Sequence, residues 1–233
     1  MNAKPLPSAS LDKDRKNASD RAQSGAFVCR SIGITGGIGA GKSAVRKILT
    51  HIGYPCVDAD FFASEILNSV ADAKELSGIM GPEILSQDGM VDRIALRQRV
   101  FADSAERNRL EEFMHPRIQS RWMSWRSRFV DADLPANIWI FYEAALLIEK
   151  RRTFDFDKIV VVTSSQEKRF ARLADRGLSR EAAGAIANAQ LPDSEKLKVA
   201  DHVIVNDGSL EDLRTAVFDM LDWLGNQFAA SRS

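Results

Sequence analysis

The chain has 233 residues, 45% hydrophobic and 27% charged, an ordinary globular composition that can bury a core without staples. Its 32 basic residues balance 32 acidic ones, so the electrostatic footprint of a nucleic-acid binder is missing. No apolar run reaches the ~20 residues that span a bilayer. Two cysteines without a CxxC pair and three scattered histidines argue against a disulfide scaffold or a zinc site. The expectation is a cytoplasmic protein in a reducing setting, with no nucleic acid, no membrane and no obligate protein partner.

Residues 1–26 hold Ser, Ala, Asp, Lys and Arg and almost no large apolar side chains, so a disordered tail is expected there. Asp12, Asp14 and Asp20 argue against an acid-poor transit peptide. Phe27–Thr35 (FVCRSIGIT) is a short apolar run that reads as a buried strand ending in a glycine-rich turn. Val45, Ile48, Leu49 and Ile52 then repeat at helical spacing. Tyr54–Val57 reads as a second strand. The stretch 59–133 contains no convincing strand; it reads as helical, with turns at Gly81-Pro82 and Asp88-Gly89 and a helix start at Asp103 with Glu106. Asn137–Tyr142, Lys158–Thr163 and His202–Val205 read as strands three to five. Ser164 with Glu167 predicts a capping box opening a helix over 165–176. Ser209 with Asp212 opens a last helix, whose Leu213, Val217, Met220, Leu221 and Leu224 share one face. The fold class is therefore α/β: five strands flanked by helices, with a helical insert between strands two and three.

Gly36-Gly37-Ile38-Gly39-Ala40-Gly41-Lys42-Ser43 fits the phosphate-loop pattern G-x-x-x-x-G-K-[ST], and it follows a strand and opens a helix. A chain of this length carries that pattern by chance about once in a hundred, so a merely connecting turn is the weaker reading. Glycines let backbone N–H groups crowd around a phosphate, and the helix N-terminus adds its positive dipole end. Lys42 supplies a point charge for the β- and γ-phosphates, and Ser43 a hydroxyl for Mg²⁺.

Asp58 and Asp60 end strand two, where ligands of open α/β sheets bind. One can accept a proton from an acceptor hydroxyl and the other can order a magnesium shell; the alternative for either is a helix N-cap. Glu143 closes strand three as either a carboxylate acting on Mg²⁺ through water or a plain strand-end acid. Arg169, Arg172, Arg176 and Arg180, at steps of 3, 4 and 4, either fold over a triphosphate or form a solvated charged face.

The run TGGIGAGKS, then VDAD, DG-x-V-D-R, His115-Pro116, LL-x-E, R-x₃-R, Gln190 and AD-x-V-I-x-N resembles the dephospho-coenzyme A kinase family from residue 31 to about 225. The resemblance implies a P-loop NTPase fold with a five-stranded parallel sheet in a kinase domain at 27–225. It places a helical substrate-binding insert at 59–133, a lid at 165–192 and a flexible C-terminus at 226–233. It implies transfer of the γ-phosphoryl group of ATP, with Mg²⁺, to the 3′-hydroxyl of dephospho-CoA. Gly37, Ile38, Gly39, Ala40, Gly41, Lys42, Ser43 and Ala44 would hold the ATP phosphates, with Arg176 from the lid and Asn206 near the adenine. Asp60 would be the general base, with Lys42 and Arg172 stabilising the transferred charge. Asp58, Arg93, Arg97 and His115 would hold the acceptor, and Ser43 and Glu143 the metal. Alternatives are a kinase for another small acceptor, such as a nucleoside monophosphate, or an ATP-binding regulator that has lost catalysis.

The chain departs from the family pattern at four residues, and the lid is expected to be one residue short after Arg176. Ala44 replaces a Thr, Ser64 an Arg and Glu143 an Asp, and Ala145 stands where the family has Pro. Loss of the Arg removes a phosphate or substrate contact, and Glu for Asp moves a carboxylate by one methylene.

Overall fold

The computed structural model describes residues 29–130, 138–149 and 155–230. The tail expected at 1–26, and the strand starts expected at Phe27 and Asn137, lie outside them. β1 (Arg30–Thr35) is buried at every position after Arg30, which is why its sequence runs apolar rather than alternating. The phosphate loop leads into α1 (Lys42–His51), which buries Val45 and Leu49 against the sheet. β2 is Cys56–Asp58 rather than Tyr54–Val57; Pro55, which has no N–H to donate, contributes only its carbonyl, to the amide of Phe141.

Residues 58–132 then form a compact unit of their own. It comprises α2 (Ala59–Leu67), α3 (Val70–Met80), a 3₁₀ turn at Pro82–Ile84, α4 (Arg93–Ala102) and α5 (Ser104–Val130). Its core is Ile66, Ala73, Leu76, Met80, Ile84, Val91, Leu96, Phe113 and Met114. Among its described residues the only extended pairing is one bridge, Leu85 to Val91. Side-chain caps start three helices: Asp58 on α2, Ser69 on α3 and Asp92 on α4. At the start of α5 the Asp103 carboxylate accepts from the Ala105 amide, but Glu106 does not reach back to close a capping box. It turns to Arg99 and Arg109, whose charges hold it buried.

The other unit resumes with β3 (Trp139–Glu143), β4 (Lys158–Thr163), α6 (Gln166–Ala174), α7 (Arg180–Asn188), α8 (Asp193–Leu197), β5 (His202–Val205) and α9 (Leu210–Ala230). The five strands are parallel, in the order β2-β3-β1-β4-β5. Chain order reverses at β1, which pairs with β3 on one side and β4 on the other. That switch point opens a crevice beyond the carboxyl end of β1, where the phosphate loop begins.

One core cluster joins Ile32, Ile34, Phe141, Val160, Val162 and Ile204 of the sheet to α1 and α9. All five residues expected on the apolar face of α9 are in it, and Ser209 and Asp212 exchange the expected capping bonds. α9 continues to Ala230, so residues 226–230 are helical where the sequence reading ended the domain at 225. The capping box expected at Ser164 and Glu167 does not form. The Ser164 hydroxyl instead donates to Asp207, 2.7 Å away, and α6 starts at Ser165 without a side-chain cap.

Candidate active site

The phosphate loop needs backbone shapes that only glycine adopts readily. Gly41, the residue before α1, has φ 106°, and a Cβ there would collide with the side-chain amide of Asn206. Gly39 has φ 75°. The Lys42 ammonium folds back across the loop to the carbonyls of Gly36 (2.9 Å) and Gly37 (3.1 Å). The next three carbonyls are each held by a side chain from beyond β4. Arg169 Nε donates to Ile38 O at 2.8 Å, Arg172 Nη1 to Gly39 O at 3.3 Å, and Asn206 Nδ2 to Ala40 O at 2.8 Å. With its carbonyls committed in this way, the loop can turn amides toward a bound anion.

Not every amide expected to face phosphate is available. The Ile38 N–H donates to Gln190 Oε1 at 2.9 Å, Ala40 N–H to Gly37 O at 3.2 Å, and Ala44 N–H to Gly41 O at 2.9 Å. Ala44 also packs against the core cluster, so a methyl suffices there.

The arginine series divides. Arg172, expected over a triphosphate, is a brace: besides Gly39 O it donates to Ser164 Oγ (3.1 Å) and Asn206 O (2.7 Å). Arg169 is paired with Asp193 at 2.9 Å. Arg176 and Arg180 are exposed, Arg180 lying over the ring of Phe170. Asp207 serves the same scaffold. Hydrogen bonds from the Ser165 amide and the Ser164 hydroxyl hold its carboxyl below the usual range.

Asn206 is buried against the loop through its amide. Sequence reasoning gave no sign of the parts played by Asp193 and Asp207. Their one local signal was a position just past a turn or strand end.

Glu143 ends β3 beside Ile34 of β1. Its Oε2 accepts from Arg46 Nε at 2.7 Å, with both side chains partly buried. Arg46 lies three residues after Ser43 on α1, a partner that helical spacing could have flagged. Burial pushes the neighbouring Cys56 thiol up to about 11, so it stays protonated at neutral pH.

In the unit formed by residues 58–132, Asp58 Oδ1 caps α2 by accepting from the Phe61 amide at 2.6 Å, so the capping alternative is realised. Asp60 is exposed in the first turn of the same helix. Arg93 at the start of α4 sends Nη2 to Ser64 Oγ (2.8 Å) and Asn68 Oδ1 (3.1 Å). A guanidinium therefore rests against the serine that replaces an arginine of the family pattern. Arg97 is exposed one turn further on, and His115 is half-buried on α5 next to Met114 of the core.

Comparison with known proteins agrees with this fold. The dephospho-CoA kinase family model matches residues 30–212. A dephospho-CoA kinase of Corynebacterium glutamicum is 38% identical over 185 residues, spanning 78% of this chain and 93% of that protein. One from Listeria innocua is 34% identical over 195 residues, spanning 83% and 96%. Among solved structures, a Thermus thermophilus protein superposes with a TM-score of 0.71 at 36% identity, covering 84% of this chain and 97% of its own. The dephospho-CoA kinase of Campylobacter jejuni gives 0.60 at 28%, covering 83% and 96%. A phosphate loop at the switch point of a parallel sheet, matched with its surroundings over most of the chain, places this protein in the dephospho-CoA kinase family.

Proposed function

We propose that the protein transfers the γ-phosphoryl group of ATP to the 3′-hydroxyl of dephospho-CoA, giving coenzyme A. The observation that carries this reading is the braced phosphate loop at the end of β1, in a chain of this family. The amides of Gly39, Gly41 and Ser43 and the N-terminus of α1 cradle the phosphates. Lys42 leaves the Gly36 and Gly37 carbonyls for the β- and γ-phosphate oxygens and stabilises charge moving to the leaving group. Arg172 and Asn206 act on ATP through the loop they hold, and exposed Arg176 is the lid cation that meets the nucleotide.

Asp60 is the general base for the ribose hydroxyl. Its support is its place two residues past β2, in a parallel sheet whose carboxyl ends share one edge. Asp58 fixes the start of α2, and Arg93, with Arg97 and His115, serves the acceptor.

Mg²⁺ fits the donors present. Among the described residues no group of three His, Cys, Asp or Glu side chains forms a cage. The donors are one hydroxyl, Ser43, and one strand-end carboxylate, Glu143, the pattern of an ion that keeps its waters and binds mainly through phosphates. Bound there, it would neutralise charge on the β- and γ-phosphates. Arg46 holds the Glu143 carboxylate in place at the end of β3.

Product analysis tests the reading. With ATP and dephospho-CoA, mass spectrometry should show an acceptor one phosphoryl group heavier, and ³¹P NMR a new phosphomonoester on the ribose 3′-oxygen. A phosphorylated nucleoside monophosphate with untouched dephospho-CoA would replace it with the kinase for another acceptor.

A further inference from the structure

Both polar groups of one loop residue, Ile38, are gripped by the segment between β4 and β5. Its N–H donates to Gln190 Oε1 at 2.9 Å, and its carbonyl accepts from Arg169 Nε at 2.8 Å. The two gripping residues come from different parts of the segment, Arg169 on α6 and Gln190 just past α7. Asp193, three residues past Gln190, anchors Arg169 to the sheet: its Oδ2 accepts from Arg169 Nη1 at 2.9 Å and from Thr163 Oγ1 at the end of β4 at 2.8 Å. Beside Gln190, Glu149 Oε1 takes the Leu191 amide at 3.0 Å and pairs with the fully buried Lys196 at 2.8 Å. Residues 190–196 are therefore anchored at several points, and Gln190 carries that anchorage to the phosphate loop.

Gln190 also lines a cavity of about 450 Å³ with Phe170, Leu173, Ala187 and Leu191.

We propose that Gln190 is a positioning residue for the phosphate loop: its amide oxygen holds the Ile38 N–H so that the amides that follow converge on the ATP phosphates before nucleotide arrives. It touches no reacting atom. Its contribution is pre-organisation, so it appears in ATP affinity rather than in the chemical step. Arg169, expected from its spacing to cover the triphosphate, is the opposing half of the same grip.

The test compares Gln190→Leu, which removes the acceptor oxygen, with Gln190→Glu, which keeps an acceptor of the same length. Both are read in the full-length protein without acceptor substrate, by Ile38 amide hydrogen exchange in the nucleotide-free state and by the Kd for ATP. The expected result for Gln190→Leu is faster Ile38 exchange and an ATP Kd raised about tenfold, the scale of one lost hydrogen bond. Gln190→Glu should stay within about twofold of wild type on both. In steady state, Gln190→Leu should raise KM for ATP while kcat changes little. Wild-type exchange and Kd in Gln190→Leu would overturn the proposal, and so would equal losses in both variants. Should Gln190→Leu not fold, Gln190→Glu decides: wild-type values support the acceptor role and a tenfold loss overturns it. No readout of loop order or ATP binding involves dephospho-CoA, so failure of the proposed acceptor would leave this result standing, and the reverse.

Discussion

Two aspartates separated by one residue divide the work at the start of α2. Asp58 spends an oxygen on the Phe61 amide and so fixes the helix. Asp60 is exposed one residue into the helix and carries the proposed chemistry. Asp60→Asn keeps shape and removes basicity, so kcat should fall about 10²–10⁴-fold with KM for either substrate nearly unchanged. A change confined to KM would make Asp60 a binding residue. Asp58→Ala should instead cost about 1 kcal/mol of stability through the lost cap, read by urea denaturation. The phosphate loop was legible in the sequence because its chemistry is compressed into eight consecutive residues. The braces were not, because Ile38 and Gln190 stand 152 positions apart, and Arg169 and Ile38 stand 131 apart. Helical spacing put the arginines on a face but did not say what the face meets.

At the scale of elements, the short α8 matters through one side chain. Lys196 is completely buried, pairs with Glu149 Oε1 at 2.8 Å and points toward the Ala145 carbonyl, while Glu149 Oε2 has no hydrogen-bond partner among the described residues. A pair this dry repays its desolvation only while both charges are present. Lys196→Met should therefore destabilise the fold by about 3–5 kcal/mol. The double change Lys196→Met with Glu149→Leu should recover most of that loss in urea denaturation. A double variant as unstable as the single one would show that packing rather than charge is at stake. The elements themselves were largely legible: five short apolar runs gave five strands, and α9 followed its apolar face. The errors were local. β2 moved because Pro55 cannot donate, and the cap at Ser164 was lost to Asp207, a partner 43 residues on. Strand order came only from pairing, since periodicity carries no information on which strands are neighbours.

For the whole molecule, charge is balanced, and pH acts on stability through particular groups. His202 at the start of β5 lies against the ring of Trp223, 4.9 Å between centroids. Burial lowers its pKa below the usual value of 6.5, and Asp219 offsets this only in part. A depressed histidine binds protons more readily in the unfolded chain. Stability should therefore be intact above pH 6.5 and fall as pH drops through the folded-state value. Thermal melts of wild type and His202→Phe between pH 7.5 and 5 should show a shallower loss in the variant; identical slopes would remove His202 as the cause.

The same molecule-scale reading places the phosphate loop beyond the carboxyl end of β1, at the switch point of the parallel sheet. The most direct test is ADP release coupled to a spectroscopic assay, with ATP and Mg²⁺, comparing dephospho-CoA, AMP and no acceptor. Release that requires dephospho-CoA, and that Lys42→Ala abolishes in a folded protein, is the expected result. ATP binding without acceptor-dependent release, or release driven by AMP instead, would contradict it.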